Sequence, residues 1–388
     1  MIKIIKPLLL ILILGIVSCN SNTKESNKKI SKHTEETVLP IHNKLLSVGV
    51  FNGDGAGSVS VIETIEALRI DTDIDAMPIS ASDIMSGKLD QIDAIIFPGG
   101  SGSKQVNNLG HLGQAKVKEF INKGKGAIGI CAGAYMFCKT EGYPSLQLAD
   151  VIHLDRAHYA RGRGLVEFDL NEEGLKIFPE FKNIRQFIQY YDGPILQALG
   201  NDKSFTSLAT YKSDIHPNAG DPVDFTPGKL FIYHEKIGKG RIFAIGGHAE
   251  STPGIRWMIP RMARWVTGKK MVSYDKKWID PQRNTKEILF DTDLKKHEKK
   301  TWWELFSKDA ETQIAAMDKL YDIRSRPAVR WNVGLLRDSH PKTRAHAAAL
   351  LQKAEYTDAY KDVKAAYEIE KDAVAKAKMK QAMAFLKL

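Results

Sequence analysis

The sequence Gly129-Ile-Cys-Ala-Gly133 contains the residue best suited to covalent chemistry, the thiol of Cys131. Its Gly-x-nucleophile-x-Gly form is typical of a nucleophile elbow, a sharp turn from a strand into a helix. Such a turn strains the central residue and brings the residues two before and two after it together, so only small side chains fit. Unpaired N–H groups at the helix start favour a thiolate, and the N–H of Ala132 can face a developing oxyanion. We therefore predict that Cys131 is a nucleophile; the alternative is a small buried residue at a tight turn.

The sequence Gly247-His-Ala-Glu250 offers the base that a cysteine nucleophile requires. A thiol needs a base within hydrogen-bond reach, and the base needs an acceptor that orients it. We predict that His248 and Glu250 supply both; the alternative is that His248 caps or packs locally. In Pro98-Gly-Gly100, the missing Cβ atoms let backbone N–H groups approach a substrate, which we expect Gly99 to contact.

Alternating strands and helices must hold these residues. The predicted strands are Leu46–Phe51, Ile74–Ile79, Ile92–Phe97, Gly126–Ile130 and Arg241–Ile245. Their alternation with amphipathic helices predicts an α/β fold with a flavodoxin-like, doubly wound, mostly parallel sheet. The elbow, the two glycines, the histidine and the turn after the first strand each follow a strand directly, and such sheets bind ligands outside the carboxyl ends of their strands. That first turn is either a substrate loop, with Asn52 and Gly53 at the ligand, or a plain connection.

Three motifs resemble the class I glutamine amidotransferase-like superfamily: Ile95-Ile-Phe-Pro-Gly-Gly100, Gly129-Ile-Cys-Ala-Gly-Ala-Tyr135 and His248-Ala-Glu250. Within it, the Phe51-Asn-Gly53 turn and the elbow most resemble the N-terminal domain of biotin–protein ligases, and we place this domain at residues 45–268. The resemblance implies the following roles: Cys131 as nucleophile, His248 as base, Glu250 as orienting group, the N–H groups of Gly100 and Ala132 as oxyanion hole, and Tyr191 at the ligand pocket.

Departures from the amidotransferase pattern restrict the function. Ala249 stands where that pattern has proline, and neither a glutamine-specificity segment nor a synthetase domain is recognisable. We predict a cysteine-dependent hydrolase or amidase that attacks an amide or peptide-like C–N bond through a Cys-His-Glu triad. The alternative is a catalytically inactive module that binds a ligand or a protein. We predict no biotin ligase activity, because Arg161-Gly-Arg-Gly164 matches the loop of those catalytic domains too briefly.

Residues 1–19 predict an export signal, since a basic start precedes an apolar run that is too short for a comfortable bilayer crossing. Ile16-Val-Ser-Cys19 resembles the bacterial lipoprotein box, which implies a lipid on Cys19; an ordinary signal peptide is the alternative. The polar residues 20–44 predict a disordered tether. We therefore expect a protein held at the periplasmic side of a membrane in a bacterial cell envelope.

Charge and ligand patterns exclude other partners. The formal charge of +10 is spread along the chain and is densest at Lys269-Lys270, at Lys276-Lys277 and at residues 295–300. Aromatic residues do not interleave these lysine runs as in a nucleic-acid reader, so no nucleic-acid partner is predicted. Ser58 replaces the third glycine of a dinucleotide fingerprint, and His153 and His158 lack a matching ligand set. We therefore predict neither a cofactor nor a metal. The predicted partners are a membrane, through the lipid, and a small amide or peptide-like ligand.

Cys131 and Cys138 lie seven residues apart in one predicted helix, so their Cα atoms should be about 10 Å apart. This distance exceeds disulfide reach, which predicts two free thiols.

The C-terminal part predicts a separate small all-α domain. Residues 269–300 form a predicted basic linker or surface connection, and residues 301–388 are helical and rich in alanine, lysine and glutamate. A faint repeat at an offset of 34 relates Asp338 to Asp372 and Leu351 to Phe385. The segment resembles HEAT-type repeats, which implies a surface for a protein partner, with tryptophans as packing residues: Trp302, Trp303 and Trp331.

Overall fold

The computed structural model describes residues 46–200 and 204–388, so the predicted signal peptide, Cys19 and the predicted tether lie outside the described residues. The described residues form a twelve-stranded mixed sheet and twelve α-helices, which confirms the predicted fold class. The strands are β1 (Leu46–Phe51), β2 (Ile74–Ile79), β3 (Ala94–Phe97), β4 (Gly126–Ile130), β5 (Val151–His153), β6 (Arg163–Leu170), β7 (Gln186–Tyr191), β8 (Leu196–Ala198), β9 (Phe205–Tyr211), β10 (Leu230–Ile237), β11 (Gly240–Ile245) and β12 (Ile288–Leu289). The helices are α1 (Ser58–Leu68), α2 (Ala81–Met85), α3 (Gly102–Asn122), α4 (Ala132–Phe137), α5 (Glu172–Ile177), α6 (Met258–Val266), α7 (Thr292–Glu304), α8 (Ala310–Asp322), α9 (Arg326–Leu335), α10 (Pro341–Lys353), α11 (Tyr360–Ile369) and α12 (Ala373–Leu386).

One half of the sheet is parallel, in the order β2-β1-β3-β4-β11. This is the flavodoxin-like strand order. Helices α1 and α6 pack on one face of these strands, and α3 and α4 pack on the other. Every residue of β3 and β4 is buried, because a parallel strand covered on both faces must be apolar throughout. This half brings the carboxyl ends of β3, β4 and β11 to one rim.

The other half is antiparallel, and it is formed mainly by the region whose sequence pattern is least regular. Strand β10 pairs with β11, and the sheet continues through β9, β6 and β12, with β7 also pairing with β6. Its hairpins bring the end of β7, with Tyr191, to the same rim as the parallel strands.

Two helices differ from their predicted lengths. Helix α3 runs from Gly102 to Asn122 rather than over its second half alone, with a kink at Gly110, whose φ of 62° suits glycine. Helix α4 ends at Phe137, so Cys138 leaves the helix in an extended conformation (φ −71°, ψ 155°). Both Cys131 and Cys138 are free and buried.

The predicted linker is structured at its end. Strand β12 extends the sheet beside β6, and α7 already begins at Thr292. Helices α10 and α12 share an apolar core that includes Ala348, Leu351 and Ala382. Asp372 caps α12 by accepting from the Ala375 N–H at 2.9 Å, whereas no side chain caps α10. The assignment to HEAT-type repeats stays a prediction.

The tryptophan prediction was wrong for two of three residues. Trp303 is 71% exposed and Trp331 is 47% exposed, while Trp302 is partly buried. Ring centroids of Phe306 and Trp331 lie 5.6 Å apart, and those of Trp303 and Phe306 lie 6.2 Å apart. These rings therefore pack on one another at the surface rather than in the helical core.

Buried polar contacts join the helical segment to the α/β part. Glu355, at the end of α10, accepts from the Gly254 N–H at 2.9 Å and pairs with Arg283 at 2.7 Å. The rings of Trp278 and Phe385 lie 5.2 Å apart. The helical segment therefore packs against the α/β part. Among the described helices, none has the length and hydrophobicity that a membrane crossing demands.

Candidate active site

Cys131 lies at a strained turn between β4 and α4. Its φ of 51° and ψ of −103° lie in a region that non-glycine residues rarely adopt. A Cβ on Gly129 would lie 2.5 Å from the Gly133 carbonyl, and a Cβ on Gly133 would lie 2.0 Å from the Phe97 carbonyl oxygen. The two glycines therefore permit the turn, as the elbow pattern predicts.

His248 and Glu250 follow β11 and lie beside Cys131. The His248 N–H donates to the Gln189 carbonyl at 2.8 Å, which ties this segment to β7. The Nδ1 atom of His248 donates to Oε1 of Glu250 at 2.7 Å. Cys131 is a hydrogen-bonding neighbour of the same imidazole. The structure thus brings the thiol, the imidazole and the carboxylate together.

A serine that the sequence motifs do not include holds the carboxylate. Ser60, on α1, donates to Glu250 Oε1 at 2.9 Å and accepts from the Gly99 N–H at 3.0 Å. It therefore links the carboxylate to the glycine pair after β3. A Cβ on Gly99 would lie 2.6 Å from Cε1 of His248, so a larger residue there would displace the imidazole.

Electrostatics favour a charged imidazole. Burial opposes protonation of His248, but the negative charges of Glu250 and Cys131 outweigh it and raise the pKa of the imidazole from 6.5 to about 9. Burial likewise opposes ionisation of Glu250, but His248 and Arg326 lower the pKa of that carboxyl. An imidazolium held by the Glu250 carboxylate is the charge state that this geometry stabilises.

The predicted oxyanion hole consists of the backbone N–H groups of Gly100 and Ala132. Gly100 adopts φ 137° and a Cβ there would lie 2.2 Å from the Gly55 carbonyl oxygen, so glycine is required. Within the described residues, no backbone carbonyl accepts from the Gly100 N–H or from the Ala132 N–H. Ala132 is the first residue of α4, and the first N–H groups of a helix have no acceptor within that helix. Both N–H groups are therefore free for a ligand.

These groups line a cavity of about 1040 Å³. Cys131 is only 4% exposed, yet it lines this cavity, and its thiol donates to the Tyr191 carbonyl at 3.3 Å. Gly99, Gly100, Ala132, Tyr191 and His248 also line it. Asn52 and Gly53 do not; their turn reaches the cavity only through the later residues 57–60. A Cβ on Gly53 would lie 2.2 Å from Oδ1 of Asn108, so that end of the turn packs on α3.

Arg326 is a site residue that the sequence motifs do not reveal. Its Nε atom donates to Glu63 Oε2 at 3.1 Å, and its guanidinium lies 3.6 Å from Glu250 Oε1. It reaches the site from the first turn of α9, in the helical segment, and lines the cavity with Pro327 and Arg330. Pro327 indicates in the sequence that a helix starts here. Nothing in the local sequence indicates that this helix start lies beside Glu250 in the fold.

In the described part of the chain, no group of three or more His, Cys, Asp or Glu side chains is arranged so that it could hold a metal ion. His153 lines the cavity, but burial lowers the pKa of its imidazole to about 4. Its ring packs edge-on against Tyr135 with centroids 4.4 Å apart. It therefore forms part of the cavity wall as a neutral ring.

The strand order and the elbow at the carboxyl end of β4 define a flavodoxin-like α/β fold. Residues 46–148 match the family model described as "Biotin-protein ligase, N terminal". The match includes the elbow and the Gly99-Gly100 pair and ends before His248. No curated protein matches this chain.

Several solved structures are similar to part of this chain. A ThuA-like protein from Parabacteroides merdae is 14% identical, with 61% of this chain and 99% of that chain covered and a TM-score of 0.41. A cytoplasmic protein from Salmonella typhimurium is 13% identical, with 57% and 98% covered and a TM-score of 0.36. A β-galactosidase from Bacillus circulans is 14% identical, with 63% and 33% covered and a TM-score of 0.36. This chain thus spans about a third of that enzyme's length.

Proposed function

We propose that this protein is a cysteine-dependent hydrolase or amidase that cleaves a C–N bond of an amide or peptide-like substrate. The observation that carries the proposal is the strained Cys131 that lines the cavity, beside an imidazole whose Nδ1 lies 2.7 Å from Glu250. A nucleophile with an adjacent, oriented imidazole is the arrangement that covalent acyl transfer requires. The cavity, at about 1040 Å³, has the size of a small-molecule or short-peptide site.

The proposed reaction has two stages. The Cys131 sulfur attacks the carbonyl carbon, and the N–H groups of Gly100 and Ala132 stabilise the oxyanion. The C–N bond then breaks as the His248 imidazolium gives its proton to the leaving nitrogen, which leaves a thioester. In the second stage, His248 takes a proton from water, hydroxide adds to the thioester carbonyl, and the C–S bond breaks to release a carboxylic acid.

Acylation by p-nitrophenyl acetate tests this proposal. We expect a burst of nitrophenolate and an acetyl adduct on Cys131 by peptide mass spectrometry. Cys131→Ala should abolish both, and His248→Ala should slow the burst. Cys138→Ala is the matched control, because that thiol is buried and lies outside the cavity-lining set. Equal behaviour of wild type and Cys131→Ala would refute the enzymatic proposal.

The second candidate function is a binding module without turnover. Two observations favour it: the Cys131 thiol donates to the Tyr191 carbonyl, and the helical segment exposes aromatic rings at Trp303, Phe306 and Trp331. Under this alternative, the exposed rings of the helical segment would contact a protein partner. An absent acetyl adduct on a folded protein would favour this second candidate.

We also propose that a lipid on Cys19 holds the protein at a membrane of the cell envelope, with residues 20–44 as tether. The proposal rests on the lipoprotein-box pattern in the sequence. Expression in a bacterium should give a membrane-fraction protein whose mass includes acyl chains. Cys19→Ala should remove both properties, and Ser21→Ala should retain them. An unmodified Cys19 in mature protein would contradict the anchor.

A further inference from the structure

We propose that the cavity binds a substrate with an anionic oxyacid group, a carboxylate or a phosphate, held between Arg156 and Arg330. This inference rests on the proposed function of the Cys131 site and names the charge of its substrate. Three arginines line the cavity, and one of them, Arg326, is already matched by Glu63 and Glu250. The other two carry the inference.

Neither Arg156 nor Arg330 forms an ion pair with a carboxylate in residues 46–200 and 204–388. Arg156 donates to the Glu141 carbonyl at 3.3 Å, and its guanidinium lies 5.6 Å from the Tyr143 ring centroid. Arg330 has the Tyr356 hydroxyl as a hydrogen-bonding neighbour. Both partners are neutral, so each guanidinium keeps N–H groups and its full charge for a ligand.

The two arginines approach the cavity from different parts of the fold. Arg156 precedes β6 in the α/β part, whereas Arg330 lies one turn after Arg326 on the same helix, α9. Residues four apart on a helix share a face, which explains why both line the cavity. A ligand bound at Cys131 would therefore meet one arginine from each part of the protein.

The rest of the lining does not cancel this charge. The carboxylate-bearing side chain in this lining is Asp192, which accepts from the Gly162 N–H at 2.7 Å; its single negative charge offsets at most one of the two guanidinium charges. Tyr135, Tyr143 and Tyr159 add apolar rings with hydroxyl groups. A guanidinium binds a carboxylate or a phosphate through two parallel N–H···O bonds, so an oxyacid group fits this lining better than a cation or a purely apolar group.

Iodoacetate and iodoacetamide provide a matched pair of probes. In both, the Cys131 sulfur displaces iodide from the CH₂ carbon, so a C–S bond forms and a C–I bond breaks. The two reagents are nearly equal in size and differ in charge. The measurement is the ratio of their labelling rates at Cys131, by peptide mass spectrometry, divided by the same ratio for glutathione.

We expect this normalised ratio to exceed one in the wild type. Arg156→Gln and Arg330→Gln should each lower it about 10-fold or more, the effect of losing a hydrogen bond to a charged group. Arg330→Lys should retain part of it. Arg337→Gln is the control for net charge, because Arg337 is exposed and outside the cavity-lining set. Protection of Cys131 from iodoacetamide by glutarate or by inorganic phosphate then distinguishes the two oxyacid groups.

An unchanged ratio in the double variant Arg156→Gln/Arg330→Gln would overturn the inference, as would a Cys131 that reacts with neither reagent. The inference and the proposed function fail separately. If p-nitrophenyl acetate acylates Cys131 but the normalised labelling ratio is the same in the wild type and the double variant, the proposed hydrolase is supported and the anion-binding site is refuted. If acylation fails but the ratio depends on both arginines, the cavity is an anion-binding site without turnover.

Discussion

The floor and the wall of the cavity are built by different means. The floor consists of Cys131, His248 and the Gly99-Gly100 pair, which lie at the ends of β4, β11 and β3 and are positioned by the register of neighbouring parallel strands. The wall includes Arg326 and Arg330 of α9; ion pairs with Glu63 and Glu250 position Arg326, and Arg330 lies one turn further along the same helix. The nucleophile thus depends on backbone geometry, whereas its electrostatic surroundings depend on long-range contacts.

The largest expected effect concerns the floor. If the floor performs the chemistry, Cys131→Ser or His248→Ala should lower the rate of acylation by p-nitrophenyl acetate by about 10³-fold or more. Substitution of the wall residues Arg326 or Arg330 should lower this rate far less. The measurement is the burst rate, with Cys138→Ala as control. A loss of similar size in Arg330→Gln would show that the wall takes part in the chemistry, and would break the comparison.

Glu250→Gln should be the most destabilising single change at the boundary between floor and wall. Glu250 is fully buried and contacts His248, Ser60 and Arg326. Breaking such a buried pair costs about 3–5 kcal/mol in the free energy of unfolding, because a charge stays behind without its partner. Denaturant titration checks this. Ser60→Ala, which removes only a neutral hydrogen bond, should cost about 1 kcal/mol.

The same pair predicts a pH dependence of stability. The pKa of His248 is raised from 6.5 to about 9, so its contribution is complete below pH 6.5 and is lost as the pH rises through 9. The pKa of Glu250 is lowered from 4.5, so its contribution is present above pH 4.5 and is lost as the pH falls below that value. The contribution of the His248–Glu250 pair to the free energy of unfolding should therefore be greatest between pH 4.5 and pH 6.5. In Glu250→Gln, the free energy of unfolding should change less with pH on both sides of this range. Histidine NMR of His248 should report its titration near 9 in wild type.

Two glycine substitutions sharpen the comparison by stability alone. Gly133→Ala, in the floor, should destabilise by about 1–3 kcal/mol, because the new Cβ would lie 2.0 Å from the Phe97 carbonyl oxygen. Gly334→Ala, in α9, meets no atom within 4 Å and should stabilise by up to about 1 kcal/mol. Thermal or denaturant unfolding measures both. Equal tolerance at the two positions would contradict the rigid elbow.

The floor could be predicted from sequence because its signals are local. The predicted bounds of β1, β2 and β4 match the structure, since each is an apolar run limited by turn residues. The elbow and the His-x-Glu segment follow strands of the same parallel half, so their meeting follows from the topology. The antiparallel half was less predictable, because its short strands are interrupted by long turns rich in proline, glycine and aspartate.

The wall could not be predicted in the same way. Arg326 and Ser60 lie in ordinary helical sequence, and only the tertiary fold turns them toward Glu250. Trp303 and Trp331 were expected to pack because large apolar side chains are usually buried, yet here both are exposed and each contacts the ring of Phe306 at the surface. Helix packing decides which face is covered, and the faint repeat in the sequence does not encode that.

A double-mutant cycle tests whether the wall is coupled to the floor at all. The Arg326–Glu63 pair is mostly buried, with side-chain exposures of 15% and 9%, and joins α9 to α1. In a double-mutant cycle of Arg326→Gln and Glu63→Gln, we expect a coupling of about 1–2 kcal/mol in the free energy of unfolding. The control cycle uses the exposed pair Lys342 and Glu311, with exposures of 72% and 68%, where the coupling should not exceed about 0.5 kcal/mol. Arg326→Gln should also raise the pKa of His248, because the nearby guanidinium lowers it. If Arg326 has only a structural role, Arg326→Gln will change the free energy of unfolding and leave the pKa of His248 unchanged. That result would show that the helical segment does not influence the chemistry at the floor.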